Sequence, residues 1–177
     1  MSNFFGIGAG FSRTALQFGV NTQSWALGKC ESNDKAPDGD NSLRFVSYGV
    51  TEMGDWQIMP EVVFNMDMPD KGDNTYDLSI GVRPMLVINN NFALAFEGAV
   101  GLYKENDDKT GKNKDTTTRY KFTVAPTLKV DTTGFWNRPE LRAFVSFVGQ
   151  DKDLGKLSAD GKDETEVRFG FQAETWF

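Results

Sequence analysis

From residue 43 onward, the sequence is built from long runs in which apolar and polar residues alternate one by one. A period of two places alternate side chains on opposite faces of a β-strand, whereas an amphipathic helix repeats every 3.6 residues. Most runs are about as long as the 9–11 residues that a tilted strand needs to cross a bilayer, whereas strands in soluble domains usually have about 5–6 residues. The runs cover Leu43–Val50, Trp56–Met66, Tyr76–Leu86, Phe92–Leu102, Tyr120–Val130, Leu141–Phe147 and Glu166–Phe177.

The last of these runs shows what each face contains. Val167, Phe169 and Phe171 alternate with Arg168 and Gln172. Apolar side chains that face lipid, alternating with polar side chains that face an aqueous lumen, are typical of transmembrane β-barrels. The sequence therefore predicts an all-β fold of antiparallel transmembrane barrel strands, about eight in number with the first one partial.

The connectors between the runs alternate between short and long. Short connectors lie at Thr51–Asp55, Asn89–Asn91 and Asp131–Asn137, and longer ones rich in Asp, Lys and Gly lie at Asp67–Thr75, Glu105–Thr116 and Gly149–Glu164. Outer-membrane barrels alternate short periplasmic turns with longer extracellular loops in this way. Because a long connector precedes the last run, that run leads inward, which predicts a periplasmic C-terminus.

The first 42 residues alternate less clearly. We expect a partial strand at Asn3–Gly8 and a long extracellular loop region over residues 9–42, inside which Gln17–Leu27 could pair. Residues 1–177 would then form a single, partial barrel domain.

Three prolines, Pro60, Pro84 and Pro126, occupy alternate positions that are otherwise apolar in the predicted strands, a set of positions that we call the apolar column. Each proline removes a donor from the hydrogen-bond ladder of its strand. We expect local bulges to accommodate them.

Composition excludes several classes of function. A net charge of −6 argues against a nucleic-acid partner, and the absence of histidine removes the commonest general base and a leading zinc ligand. The single cysteine, Cys30, cannot form an internal disulfide. The sequence contains no run of about 18 apolar residues, so it predicts no transmembrane helix.

Motifs that could carry chemistry are weak. GIGAG at residues 6–10 lacks the third glycine of a dinucleotide-binding loop and fits the end of a strand. Aspartates of the long connectors, such as Asp67, Asp70 and Asp73, lack the spacing of a calcium-binding loop. The strand carboxylates are spread among arginines rather than paired as in a glycosidase. We therefore expect no enzyme activity, no cofactor and no metal.

The polar column predicts the lining of a lumen, and two tryptophans accompany it. We expect the polar lining to include Arg83, Arg119, Arg142, Arg168 and Glu174. Trp176 shares the parity of Glu174, and Trp136 shares that of Arg142 if its strand starts early enough. A flat indole face in a wet channel suits stacking on a sugar ring, although packing at a turn would explain either residue equally well.

Four segments resemble the C-terminal part of the maltoporin family of sugar-specific porins. The likeness runs in the same order from about residue 43 to residue 177. The segments are EMGDWQIMPEVVFNMD (52–67), GVRPM (81–85), GFWNRPELRAFVSF (134–147) and FGFQAETWF (169–177).

The resemblance implies a sugar channel in the bacterial outer membrane. It implies an eighteen-stranded barrel surrounded by outer-membrane lipid, forming a homotrimer in the full-length parent, and facilitated diffusion of maltose and maltodextrin oligosaccharides along lumen aromatics. By the same resemblance, Trp136 and Trp176 belong to the row of aromatic residues that stacks on the sugar.

The chain matches only the last eight or so strands of such a barrel, so we expect a fragment that does not conduct sugar by itself. The alternative is a complete eight-stranded outer-membrane barrel with a structural or adhesive role. A soluble lipocalin-like barrel is a more distant alternative, because it would place its apolar column inside.

Overall fold

The structure, a computed structural model, describes residues 8–24, 27, 39–105, 115–151 and 164–175. Its strands form one eight-stranded antiparallel sheet in chain order, which confirms the predicted all-β antiparallel fold. The strands are β1 (Ala9–Val20), β2 (Asn41–Met53), β3 (Trp56–Met68), β4 (Thr75–Asn89), β5 (Phe92–Lys104), β6 (Thr117–Lys129), β7 (Glu140–Gln150) and β8 (Thr165–Glu174). The described residues contain no helix that is long and apolar enough to cross a membrane.

The two faces of the sheet have opposite chemistry. The strand register places Arg83, Glu97, Lys121, Arg142 and Glu174 on one face, which we call the inner face. The apolar column lies on the other, outer face, where Phe169 and Phe171 are 83% and 84% exposed. Several polar side chains of the inner face are buried, among them Arg142 at 8% exposure. A sheet with its apolar side outward requires an apolar solvent on that side.

The strand β1 corrects the expectation of a loop region over residues 9–42. Residues Ala9–Val20 pair in continuous register with β2, so the connector between them spans residues 21–40. The alternation is weak here because Ser12 and Thr14 occupy the outer face of β1 before the apolar series Leu16, Phe18 and Val20 begins. The expected strand Asn3–Gly8 lies, apart from Gly8, outside the described residues.

The start of β1 explains Gly10, the last glycine of GIGAG. Gly10 has a φ of 135°, and a Cβ there would lie 1.9 Å from the carbonyl oxygen of Val50. Only glycine allows this approach of the two backbones, because its φ is positive and it has no side chain. Gly10 therefore lies at one end of a strand, the start of β1, whereas Gly6 and Ile7 lie outside the described residues.

The expected bulges at the prolines are wrong. Pairing is interrupted at Pro60 between β2 and β3, at Pro84 between β4 and β5, and at Pro126 between β6 and β7. The register is nevertheless the same on both sides of each gap, so no residue is inserted there. Each proline pairs in register with its other neighbour, opposite Val82, Ile58 and Leu94 respectively. The missing backbone N–H of a proline removes one hydrogen bond to one neighbouring strand, and this loss does not require the inserted residue of a β-bulge.

The connectors define two ends of the sheet. Residues 54–55, 90–91 and 130–139 connect strands at what we call the short-turn end, and residues 21–40, 69–74, 105–116 and 151–164 connect them at the long-loop end. The connector 130–139 departs from the predicted alternation, because it is longer than the connector 69–74. It folds back over the inner face, where Phe135 packs into an apolar cluster with Val50, Met85, Ala93, Ala95 and Ala125.

Candidate functional site

A cavity of about 190 Å³ opens on the inner face beside the apolar cluster. Strands β4 to β8 supply its walls, because side chains of the polar column converge there from neighbouring strands. Its charged lining residues are Arg83, Glu97, Lys121, Arg142 and Glu174, and Phe144, Thr123, Ser146 and Gln172 also line it. The cavity therefore combines charges of both signs with the aromatic residues Phe96 and Phe144, of which Phe144 lies on the inner face.

One wall of the cavity is an ion-pair cluster across three strands. Glu97 of β5 accepts a hydrogen bond from Arg83 of β4 at 3.1 Å and another from Lys121 of β6 at 2.7 Å. The three side chains are between a quarter and two fifths exposed, so both ion pairs remain in contact with the cavity. Paired charges of this kind can exchange hydrogen bonds with a polar ligand without leaving an isolated charge.

The opposite wall is a second ion-pair cluster centred on Glu174. Arg138 donates to Glu174 Oε2 through Nε at 2.9 Å and Nη2 at 2.7 Å, and Arg142 donates to Oε1 at 3.2 Å. Gln172 donates to the same Oε1 at 2.6 Å. Arg138 and Arg142 also pair with Glu140, the first residue of β7. Among the described residues, the buried Nε of Arg142 has no hydrogen-bond partner.

Phe144 supplies the flat apolar surface of the cavity. It lies on the polar side of β7, directly opposite Gly170 of β8. A Cβ on Gly170 would lie 3.0 to 3.2 Å from two ring atoms of Phe144, so the ring covers the glycine. An aromatic face beside hydrogen-bonding groups is the combination that recognises a sugar ring.

The structure brings together three of the five polar residues predicted to line the lumen, namely Arg83, Arg142 and Glu174. Arg119 lies near the long-loop end, where it donates to Gln150 at 3.0 Å and its guanidinium lies 5.7 Å from the ring centroid of Tyr103. Arg168 is half exposed and pairs with Glu166 of its own strand at 2.7 Å. These two arginines are on the inner face but do not line the cavity.

Trp136 lies in the connector 130–139 and not in a strand, because β7 begins at Glu140. The parity argument for its direction therefore does not apply. The residue is 40% exposed, and its ring meets the ring of Phe135 edge to face, at 5.1 Å and 72°. Trp176 lies outside the described residues. The role of both tryptophans in sugar binding stays a prediction.

Sequence reasoning missed Glu97, Lys121 and Phe144 as members of one site. The signal was available, since all three share the parity of the predicted polar lining. What the sequence did not show is the strand register, which places Phe144 beside the charges of β4 to β6.

The described residues contain no group of three or more side chains that could hold a metal ion.

A sheet with an exposed apolar face and a charged, partly buried inner face defines the chain as part of the wall of a β-barrel membrane protein. The LamB porin family model matches residues 1–177, and the chain belongs to this family.

The chain is also similar to proteins named maltoporin. The chain is 31% identical to a maltoporin of Photobacterium profundum over 183 residues, which cover 100% of this chain and 40% of that protein. It is 27% identical to a maltoporin of Vibrio cholerae serotype O1 over 196 residues, which cover 97% of this chain and 46% of that protein. The chain thus spans less than half the length of these relatives.

Proposed function

We propose that this chain is the C-terminal part of an outer-membrane porin that passes maltose and maltodextrin-type sugars by facilitated diffusion. It would act as a fragment of a larger barrel, without enzyme activity, and its full-length parent would be a homotrimer in outer-membrane lipid. The short-turn end of the sheet, and with it the C-terminus, would face the periplasm. Membership of the LamB porin family and similarity to maltoporins support the proposal.

The inner-face cavity is the observation that carries this proposal. Phe144 offers an apolar face for a pyranose ring, while Glu97 and Glu174 can accept and Arg83 and Arg142 can donate hydrogen bonds to hydroxyl groups. A sugar hydroxyl both donates and accepts, so charges of both signs serve it, whereas a simple ion would need one sign. Trp136 at the short-turn end would provide the next stacking surface along the path, and Trp176 a further one.

The strand pairing favours a fragment over a complete eight-stranded barrel. A closed barrel of eight strands requires β1 to pair with β8, and among the described residues β1 pairs with β2 and β8 pairs with β7. Further strands between β8 and β1 would satisfy the edges that hydrocarbon does not tolerate.

Sugar block of ion current tests the proposal in planar bilayers. In the barrel that contains this chain, Trp136→Ala and Trp176→Ala are each expected to weaken the block by maltodextrins, since each removes a stacking surface. Trp56→Ala is the matched control, because Trp56 lies on the outer face against Phe96. Unchanged block in both lumen variants would contradict the stacking mechanism.

A further inference from the structure

The connector 130–139 is fastened to the inner face at its first half. Thr132 donates from its backbone N–H to the carbonyl of Asn90 at 3.0 Å and from its hydroxyl to that of Asn89 at 2.8 Å. Gln57 of β3 donates to the carbonyl of Thr132 at 2.9 Å. Thr132 is only 2% exposed, so the connector is part of the packed inner face rather than a surface turn.

Lys129, the last residue of β6, holds the second half of the connector. Its side chain is fully buried, and its ammonium donates to the carbonyls of Gly134 and Phe135, both at 2.8 Å. Its third interaction is with Glu140 Oε2 at 3.7 Å. A lysine ammonium has three N–H donors, and burial of its charge is tolerated only when such partners are present. The two carbonyls belong to the residues immediately before Trp136.

Arg138 holds the same backbone from the other side. It donates to the carbonyl of Phe135 at 3.2 Å and to that of Asn137 at 3.1 Å. The peptide group before Trp136 is therefore bound by both Lys129 and Arg138, and Arg138 also binds the peptide group that follows Asn137. Trp136 itself is 40% exposed, and its ring meets the ring of Phe135 by an edge. These hydrogen bonds hold the backbone from which the indole projects.

We propose that Lys129 is a positioning residue that orients Trp136 toward the sugar path. This inference rests on the proposed function, because it presumes that Trp136 contacts sugar. Lys129 does not line the inner-face cavity and acts through the two carbonyls that it binds. Its contribution is to keep the indole in one orientation before the sugar arrives, which lowers the ordering cost of binding.

A double-mutant cycle in the barrel that contains this chain tests the inference with maltohexaose as the probe. Lys129→Met is expected to raise the dissociation constant about fivefold, as for residues that act through a contacting neighbour. The double variant Lys129→Met/Trp136→Ala is expected to bind as weakly as Trp136→Ala alone. Unchanged affinity in Lys129→Met, or strictly additive losses in the double variant, would overturn the proposal.

Lys104→Met is the matched control. Lys104 is the last residue of β5, as Lys129 is of β6, but it lies at the long-loop end against the ring of Tyr76, 5.9 Å from the ring centroid. Sugar affinity is expected to be unchanged in this variant. A loss equal to that of Lys129→Met would show a general effect of strand-end lysines and overturn the specific role.

Fluorescence anisotropy of Trp136 separates failure of this inference from failure of the proposed function. With every tryptophan of the barrel except Trp136 replaced by Phe, among them Trp25, Trp56 and Trp176, Lys129→Met is expected to lower the anisotropy of Trp136 without sugar present. If Trp136→Ala binds sugar normally, the proposed stacking fails, while anisotropy still tests the positioning. Unchanged anisotropy in Lys129→Met overturns the positioning in either case.

Folding of Lys129→Met is checked by heat-modifiable gel mobility. Glu140 keeps Arg138 and Arg142 as partners in this variant, so no carboxylate is left isolated. Should the variant not fold, Lys129→Gln replaces it, because an amide can still donate to one of the two carbonyls. Its Trp136 anisotropy is expected to lie between that of the wild type and that of a freely rotating tryptophan, and wild-type anisotropy would overturn the proposal.

Discussion

Phe144 is a single flat side chain in the charged column of β7, and its position over Gly170 fixes its ring against the inner face. The glycine matters because any side chain there would meet the ring at 3.0 Å. The ring therefore lies flat only while residue 170 has no Cβ, and the stacking surface depends on two strands rather than on one residue.

Replacing Phe144 by Ala is expected to weaken maltodextrin binding about fivefold, since an aromatic stacking contact contributes about 1 kcal/mol. Equilibrium titration of the folded barrel with maltohexaose measures the change. Phe147→Ala is the control, because Phe147 lies on the outer face of the same strand and is exposed there. Equal affinities of Phe144→Ala and the wild type would show that the ring does not contact sugar.

Asp131 makes the connector 130–139 sensitive to acid. The pKa of its carboxyl lies below the ordinary value, first because the backbone N–H of Thr133 donates to it, and then because the Thr133 hydroxyl and the Asn137 amide do. The stabilisation by these bonds is complete above the ordinary pKa and is lost as pH falls through the lowered one.

Acidification below about pH 4 is therefore expected to loosen the connector and shift the emission of Trp136. Asp131→Asn keeps an acceptor oxygen but does not titrate, so its emission is expected to stay constant over the same range. The same acid midpoint in both proteins would assign the change to another group.

At the scale of the element, β1 depends on close backbone contact at its first residues. Gly10→Val is expected to destabilise the barrel by about 1–3 kcal/mol, because it places a side chain against the carbonyl of Val50 at a positive φ. Urea unfolding from detergent micelles measures the loss. Gly98→Ala in β5 is the control, since a Cβ there would meet nothing within 4 Å. Similar losses in the two variants would contradict the role of close approach.

At the scale of the whole molecule, the outward apolar face sets the medium in which the sheet is stable. Val145→Arg is expected to cost about 2–4 kcal/mol near the bilayer midplane, because Val145 is an exposed outer-face residue in the middle of β7. The folded fraction in lipid vesicles, read from heat-modifiable mobility, measures this cost. Val145→Leu should fold as the wild type does, and equal folding of the Arg variant would place this face away from lipid.

Alternation alone was sufficient to predict most of this sheet, because a period of two is set by the strand itself. It failed for β1, where Ser12 and Thr14 interrupt the apolar column, and for Trp136, which lies in a connector whose path no periodicity describes. The cavity needed the strand register, since Arg83, Glu97 and Lys121 come from three strands. The resemblance to maltoporins supplied the family, which the LamB porin match confirms.

The interrupted ladders at Pro60, Pro84 and Pro126 divide the sheet in a regular way. Pairing is continuous within β1–β2, β3–β4, β5–β6 and β7–β8, and each gap falls between two of these hairpins. The wall is thus a series of stiff hairpins joined by seams with fewer hydrogen bonds. Bending is easiest along such seams, so the curvature of the wall and the fastest exchange of strand amide protons are expected there.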